Sequence, residues 1–218
     1  MSLNIERARF NMVEQQVRPW DVLDARVLAV LGDVRREDFV SAEHRQLAFA
    51  DLELPLAHGE FMMKPVIEGR VLQSLEIGAG DSVLEIGTGS GFLTACLARL
   101  GREVLSVEQH ADLAATSRER LQRCGIDNVK VEVAEAVREF QPGREFDVIV
   151  LTGAVHTLPE RFRSWLRPGG RLFAVTGTSP AQQAVVFKRE GTTLCETSLF
   201  ETDLAYLTNA APPKRFSL

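Results

Sequence analysis

The sequence has only three cysteines, and their spacing argues against the two structural uses that cysteines most often have. Cys96, Cys124 and Cys195 lie far apart, and none belongs to a Cys-x-x-Cys pair, so neither a disulfide framework nor a zinc site is indicated. Long apolar runs are also absent. No stretch approaches the roughly 20 residues that a membrane-spanning helix needs, and the N-terminus has no secretory pattern. We therefore expect a cytoplasmic protein without a metal site.

Positive charge is scarcer than negative charge. The chain has 25 Lys and Arg against 30 Asp and Glu, a formal net charge of −5, so no overall field attracts nucleic acid. Hydrophobic residues make up 45% of the 218 residues, which is enough to bury one core with a modest appendage. We expect neither nucleic acid nor a membrane as a partner, and a homodimer is left open.

Strand and helix patterns alternate from Asp81 onward. Apolar runs predict strands, and runs with one apolar face predict helices. The predicted strands are 83–87, 103–108, 128–134, 146–153 and 171–177, with helices at 92–100, 110–123 and 159–166 and a late hairpin at 183–190 and 192–200. This order predicts an α/β fold, with a Rossmann-like, doubly wound, mostly parallel sheet and a C-terminal antiparallel hairpin.

The N-terminal part of the chain lacks this alternation. Residues 3–31 are predicted to be helical with a break at Pro19, because proline ends or kinks a helix. Asp21 is expected to cap the second helix and Gly32 to close it. We therefore divide the chain into an N-terminal helical and substrate-loop extension and a cofactor-binding core, residues 1–78 and 79–218.

The sharpest local signal is the turn Glu85-Ile86-Gly87-Thr88-Gly89-Ser90-Gly91, which follows a predicted strand and opens a helix. Glycines permit a tight turn and a close approach of the backbone to a ligand. In open α/β sheets, ligands bind at the carboxyl ends of the strands. A dinucleotide turn reads Gly-x-Gly-x-x-Gly, and its last position is the bulky Phe92 here. The acidic Glu85 is unfavourable beside a pyrophosphate but suits the sulfonium and ammonium of S-adenosylmethionine.

Acidic and small residues end the following strands. Glu108 ends the second strand, where a carboxylate accepts hydrogen bonds from two ribose hydroxyls; a solvated acid is the alternative. Ala134 and Glu135 end the third strand, where adenine would lie, and Glu135 is equally well an exposed loop acid. Thr152 ends the fourth strand and is expected at the pocket floor. The candidate cofactor-binding residues are Glu85, Gly87, Thr88, Gly89, Ser90, Gly91, Glu108, Gln109, Ala134, Glu135 and Thr152.

The stretch VLEIGTGSGFLTACLA looks like the cofactor loop of the protein-L-isoaspartate O-methyltransferase family. REDFVSAEHRQLAFADLELPLAHGE, FDVIVLTGAVHTLP, LRPGGRLFAVTG and the late DLAYLT also resemble segments of that family. The resemblance implies an S-adenosylmethionine-dependent methyltransferase of protein repair. Its expected acceptor is a carboxylate of an isoaspartyl or D-aspartyl protein or peptide, or a small carboxylate substrate. The resemblance also places Thr208 near the active site.

One loop departs from the family's pattern. The family's Gly-x-Thr-Ile-Ser-x-Pro aligns with residues 59–65, where Phe61 and Met63 replace the two hydroxyl residues. If these side chains line the pocket, the substrate is more apolar than an isoaspartyl peptide; burial in the core is the alternative. Methionine suits an irregular pocket because its side chain is flexible. The candidate catalytic residues are Met62, Met63 and Thr208.

Methyl transfer to a carboxylate needs no general base, because a carboxyl with an unperturbed pKa of about 4 is ionised at neutral pH. Catalysis then rests on positioning and on excluding water. A phenol, amine or alcohol acceptor would make a base useful, and His58 and His156 are the candidates. Three alternatives are kept: methyl transfer to another small-molecule or protein group, an inactive S-adenosylmethionine-binding module, and a dinucleotide oxidoreductase.

Overall fold

The computed structural model describes residues 4–213; residues 1–3 and 214–218, the outer ends of the two predicted regions, lie outside the described part. The strands are β1 Leu54–Pro55, β2 Phe61–Met62, β3 Ser82–Ile86, β4 Glu103–Glu108, β5 Val129–Val133, β6 Phe146–Val155, β7 Leu166–Thr178, β8 Ala181–Glu190 and β9 Thr193–Thr202. The α-helices are α1 Ile5–Asn11, α2 Ala25–Asp33, α3 Pro65–Ser74, α4 Phe92–Leu100, α5 Ala111–Arg123 and α6 Glu160–Ser164.

Seven strands form one sheet in the order β5-β4-β3-β6-β7-β8-β9. The first five of these run parallel to one another. β3 is the first of these seven strands along the chain but lies inside the sheet, so the strand order reverses between β3 and β6. Such a reversal opens a crevice at the carboxyl ends of the strands. The predicted Rossmann-like, mostly parallel sheet is confirmed.

Helices cover both faces of the sheet. The side chains of β3 point alternately to the two faces and are buried on both. Val83 belongs to the hydrophobic cluster that contains α4 and the N-terminal helices. Leu84 and Ile86 belong to a second cluster with Phe162 of α6. The doubly wound arrangement therefore follows from a strand that is buried on both faces.

The C-terminal strands form the predicted antiparallel hairpin, with β8 paired to both β7 and β9. Residues 168–170, a Pro-Gly-Gly sequence that is typical of a turn, lie within β7. Opposite β6, the register advances from Leu166 to Arg171 in β7 while β6 advances only from Phe146 to Val148. The extra residues loop out as an irregular bulge. The predicted helix at 159–166 is also shorter, because Leu166 already pairs with the sheet.

The N-terminal helices begin and end at other residues than the sequence predicts. Asp21 has a left-handed backbone, with φ of 62°, and so ends the first helical segment rather than capping the second. The cap of α2 is Asp24, whose side chain accepts a hydrogen bond from the Arg26 amide at 2.8 Å. Gly32 lies inside α2 and does not close it. No helix among residues 4–213 is long and apolar enough to cross a membrane.

Gly69 lies where α3 packs against the N-terminal segment. A β-carbon added there would lie 2.7 Å from Val17 Cγ1 and 3.2 Å from Val22 Cγ2. Gly69 inside α3 is therefore a packing requirement, because a side chain at this position would push the two segments apart.

We expect Gly69→Ala to lower the free energy of unfolding by about 1–3 kcal/mol, as overpacking does, although alanine favours a helix. The matched control is Gly32→Ala in α2, where nothing lies within 4 Å of the added carbon. That variant should gain about 0.5–1 kcal/mol from helix propensity. Urea unfolding of both variants measures the two effects, and a stabilised Gly69→Ala would contradict the packing explanation.

Candidate active site

A cleft lies at the carboxyl ends of the parallel strands, at the point where their order reverses. It encloses about 1030 Å³ of space, including its open mouth. Its walls come from three sources: the glycine turn and the ends of β3 to β6, the β1–β2 hairpin, and the segment after β9. The predicted site residues that line it are Met62, Met63, Gly87, Thr88, Gly89, Ser90, Glu108, Gln109, Ala134, Glu135, Thr152 and Thr208.

The glycine turn passes close to the neighbouring strand end. Gly87 has φ of 97°, and a β-carbon there would lie 2.2 Å from Thr152 Oγ1. The Thr152 hydroxyl donates to the carbonyl oxygens of Ile86 and Gly87 at 2.9 and 2.8 Å. Residue 87 must therefore be glycine for steric and conformational reasons. Thr152 fixes the floor of the cleft under the turn.

Glu108 connects the end of β4 to the glycine turn. Its side chain is buried, and Oε2 accepts a hydrogen bond from the Gly89 amide at 2.9 Å while Oε1 accepts one from the His110 amide at 3.0 Å. A carboxylate oxygen has two lone pairs, so each oxygen keeps one acceptor position. Because Glu108 also lines the cleft, it can accept from two vicinal hydroxyls of a ligand.

Glu85 does not line the cleft but lies directly behind it. Its Oε2 accepts from the hydroxyls of Thr94 and Ser106, at 2.5 and 2.6 Å, and Ser106 is hydrogen-bonded in turn to Thr88 at 2.6 Å. Burial raises the pKa of Glu85 to about 8, against the lowering effect of these hydroxyls. Glu85 is therefore a neutral carboxylic acid at pH 7, linked to the cleft through Thr88.

Gly91, the other predicted residue that does not line the cleft, contacts the helix layer instead. A β-carbon on it would lie 3.1 Å from Ser117 Cβ in α5 and 3.6 Å from Phe39. Its φ is 87°, a conformation that favours glycine. The third glycine of the turn therefore allows α4 to start close to α5.

Near the end of β5, Glu135 is already engaged by backbone groups. Its two oxygens accept from the amides of Val137 and Arg138, each at 2.8 Å, so it stabilises the turn after β5. Gln109 donates from Nε2 to Glu60 at 3.2 Å and joins the β1–β2 hairpin to the end of β4. Both residues line the cleft together with Ala134.

The opposite wall carries the predicted substrate residues. Phe61 lines the cleft and is 51% exposed, whereas Met62 and Met63 also line it but are largely buried. This loop therefore both lines the cleft and contributes side chains to the core. Thr208 lines the cleft from the segment after β9, which is held to β6 by a bridge between Ala154 and Tyr206.

Neither candidate histidine base lines the cleft. His58 is hydrogen-bonded through Nε2 to Asp112 at 2.9 Å and stacks on His110, with ring centroids 4.0 Å apart. His156 lies near Thr178, with Nδ1 3.4 Å from its hydroxyl. The described residues thus place no imidazole against the cleft, which favours an acceptor that needs no base.

A buried ion pair at the cleft wall was not anticipated from the sequence. Arg36 and Glu68 are fully buried and paired through Nη1 and Oε2. Arg36 also donates from Nη2 to the Met63 carbonyl at 2.7 Å, and its guanidinium lies 4.8 Å above the Phe92 ring centroid. The sequence did hold one signal. The sequence VIEGRVLQSL after Pro65 is typical of a helix. In such a helix, Glu68 shares a face with the apolar residues Val71 and Leu72, three and four positions later.

The cleft is acidic. Within the described chain, its lining includes five glutamates and no lysine, arginine or histidine: Glu53, Glu60, Glu68, Glu108 and Glu135. Such a lining repels a pyrophosphate and attracts a cation. Among the two cofactor classes considered, the lining favours a positively charged nucleoside over a dinucleotide.

Comparison with known proteins agrees with this chemistry. A model of the protein-L-isoaspartate(D-aspartate) O-methyltransferase family matches residues 8–209. Protein-L-isoaspartate O-methyltransferases of Magnetococcus marinus and Methanoculleus marisnigri are each 39% identical over 186 residues, covering 85% of this chain and 81% and 84% of the relatives. A Plasmodium falciparum structure assigned to the same enzyme, in complex with S-adenosyl-L-homocysteine, has a TM-score of 0.80 at 20% identity over 91% of this chain and 97% of that one. The last likeness bears on the fold.

The sheet, its reversal point and the glycine turn are those of the Rossmann-like S-adenosylmethionine-dependent methyltransferases. Within that class, the chain belongs to the protein-L-isoaspartate(D-aspartate) O-methyltransferase family. The family resemblance read from the sequence is confirmed.

The raised pKa of Glu85 predicts a pH-dependent stability. Between the unfolded value of 4.5 and the folded value of about 8, the native state holds a proton that the unfolded state has lost. The stability contributed by this proton is present at low pH and is lost as the pH rises to 8, at up to about 1.4 kcal/mol per pH unit.

Glu85→Gln removes this titration while keeping a similar shape. We expect the stability of the variant relative to wild type to increase as the pH is raised from about 5 to 8. Urea unfolding at several pH values provides the measurement. A stability difference that stays constant over this range would show that Glu85 is ionised in the folded protein.

Proposed function

We propose that this protein is an S-adenosylmethionine-dependent O-methyltransferase that methylates the free carboxylate of an isoaspartyl or D-aspartyl residue in a damaged protein or peptide. The observation that carries the proposal is the acidic cleft at the glycine turn, with Glu108 at its centre. Relatives at 39% identity bear the name of this activity, and the Plasmodium falciparum structure contains the demethylated cofactor. A small carboxylate is an alternative acceptor.

The cleft residues fit S-adenosylmethionine. Glu108 has one spare acceptor position on each oxygen and would hold the two ribose hydroxyls. The turn from Gly87 to Ser90 would lie against the nucleoside, since side chains are absent or short there. The adenine would lie at the ends of β4 and β5, near Gln109 and Ala134. Glu85 would act from behind, through Thr88, and not by direct contact.

The acceptor would enter between the β1–β2 hairpin and the segment after β9. Bound S-adenosylmethionine supplies a methyl group on a positively charged sulfur. Met62, Met63 and Thr208 would then orient the acceptor carboxylate behind the methyl carbon and exclude water from it. Held in this way, one carboxylate oxygen would accept the methyl group, and the electrons of the broken bond would remain on sulfur. No proton moves in this step.

One observation favours a second class of acceptor, namely small carboxylates that carry an apolar group. Phe61 presents half of its side chain at the mouth of the cleft, and neither residue 61 nor residue 63 has a hydroxyl group. An apolar group beside the reacting carboxylate would bury surface against this ring.

The cytoplasmic location and the homodimer stay predictions.

The assignment of the ribose to Glu108 is tested by removing its side chain. Glu108→Ala should weaken binding of S-adenosylhomocysteine at least tenfold, because hydrogen bonds to a charged group contribute about 1.5–3 kcal/mol. The control is Glu132→Ala, on β5 and outside the cleft lining, which should bind as wild type does. Calorimetry measures both, and unchanged affinity of Glu108→Ala would remove the assignment.

The acceptor is tested by transfer of a labelled methyl group. A peptide that contains one isoaspartyl residue should gain a base-labile methyl ester, whereas the same peptide with a normal aspartate should gain none. Methylation of apolar carboxylates, without methylation of the isoaspartyl peptide, would favour the second acceptor class. Tight cofactor binding with no transfer to any acceptor would contradict the enzyme and support a binding module.

A further inference from the structure

Glu68 is the most enclosed charged side chain that faces the cleft. It extends from α3, is 1% exposed, and lines the cleft near the glycine turn. Its Oε2 is paired with Arg36, while Oε1 receives no hydrogen bond from any residue between 4 and 213. The residue therefore has one oxygen fixed and the other free for a ligand.

Arg36 keeps this side chain in place. It is fully buried, lies over the Phe92 ring and donates to the backbone of Met63. A buried charge pair whose groups are already ordered costs little further entropy when a ligand binds. The free oxygen of Glu68 is consequently a pre-organised hydrogen-bond acceptor.

We propose that Glu68 binds the ammonium group at the amino-acid end of S-adenosylmethionine. This proposal rests on the proposed function, which makes S-adenosylmethionine the cofactor. The nucleoside end is accounted for by Glu108 and the strand ends. The amino-acid end would then extend past the glycine turn, toward the wall to which Glu68 and Met63 contribute and where Arg36 contacts both of them. An ammonium placed there makes a charge-assisted hydrogen bond with a carboxylate, which is among the strongest that proteins form.

Glu85, the acid that begins the glycine motif, lacks an oxygen with access to the cleft. Its Oε2 is occupied by the Thr94 and Ser106 hydroxyls, and its Oε1 is buried without a partner among the described residues. Glu85 is also not among the residues that line the cleft. Glu68 therefore offers the direct contact, and Glu85 supports the turn.

The ionisable groups around Glu68 leave it as the acid that ionises first. Arg36 favours the ionised form of Glu68, but burial outweighs this attraction and raises its pKa to about 7. Glu85 and Cys96, the other ionisable neighbours, have pKa values that burial raises further, to about 8 and well above 9. Because the ammonium pairs with the ionised carboxylate, binding should weaken as the pH falls below about 7.

The test compares two ligands that differ only in the amino group. Calorimetry measures the affinity of S-adenosylhomocysteine and of its analogue in which hydrogen replaces the α-amino group. Wild type should prefer the amino ligand by about tenfold or more, and Glu68→Gln should bring this ratio close to one. Glu37→Gln, which breaks a different and partly buried pair, with Arg9, should keep the wild-type ratio.

A measurement on wild type alone keeps the proposal testable if Glu68→Gln does not fold. Between about pH 5.5 and 7.5, the affinity for the amino ligand should rise with pH and that for the analogue should not. Equal pH profiles, or a Glu68→Gln protein that retains the wild-type preference, would overturn the role of Glu68. If wild type binds neither ligand, the proposed cofactor itself is wrong.

Discussion

The hydrogen bond from the Gly89 amide to Glu108 is the contact on which the cleft depends. It fixes a turn that is nearly free of side chains against the end of the neighbouring strand. The second oxygen of Glu108 accepts the His110 amide, so the same carboxylate also orients the start of α5. Because both bonds use only one lone pair of each oxygen, Glu108 organises the backbone and remains able to bind a ligand.

Around this contact, the protein concentrates negative charge and keeps positive charge away from the cleft. Arg36 is the exception behind the wall, and its charge is compensated by Glu68, a phenylalanine face and a carbonyl oxygen. Buried charge pairs contribute little net stability. Their cost is understandable where one partner faces a ligand, because a carboxylate held in a dry environment interacts strongly with a cation.

Much of the fold could be predicted from the sequence, since the strand and helix patterns are local. The predicted bounds of β4 and α4 agree with the structure, and the glycine turn lies where its flanking elements place it. The starts of the N-terminal helices could not be predicted, because two aspartates three residues apart both suit a cap. Only tertiary structure gives Asp21 a left-handed backbone and leaves the cap to Asp24.

The grouping of the strand-end residues at one edge of the sheet could also be predicted from the sequence. Residues at strand ends lie together because parallel strands end at one edge. The pair of Arg36 and Glu68 joins residues 32 positions apart, a contact that no local pattern specifies. Glu85 is likewise engaged by hydroxyls from α4 and β4. Its sequence position therefore predicted a direct ligand contact, whereas its side chain lies behind the cleft.

The central claim is that the cleft binds a positively charged nucleoside and not a dinucleotide with its pyrophosphate. Calorimetry of one protein preparation with S-adenosylmethionine and with NAD tests it most directly. The account predicts saturable binding of S-adenosylmethionine and no measurable binding of NAD. Binding of NAD with S-adenosylmethionine unable to compete would contradict it.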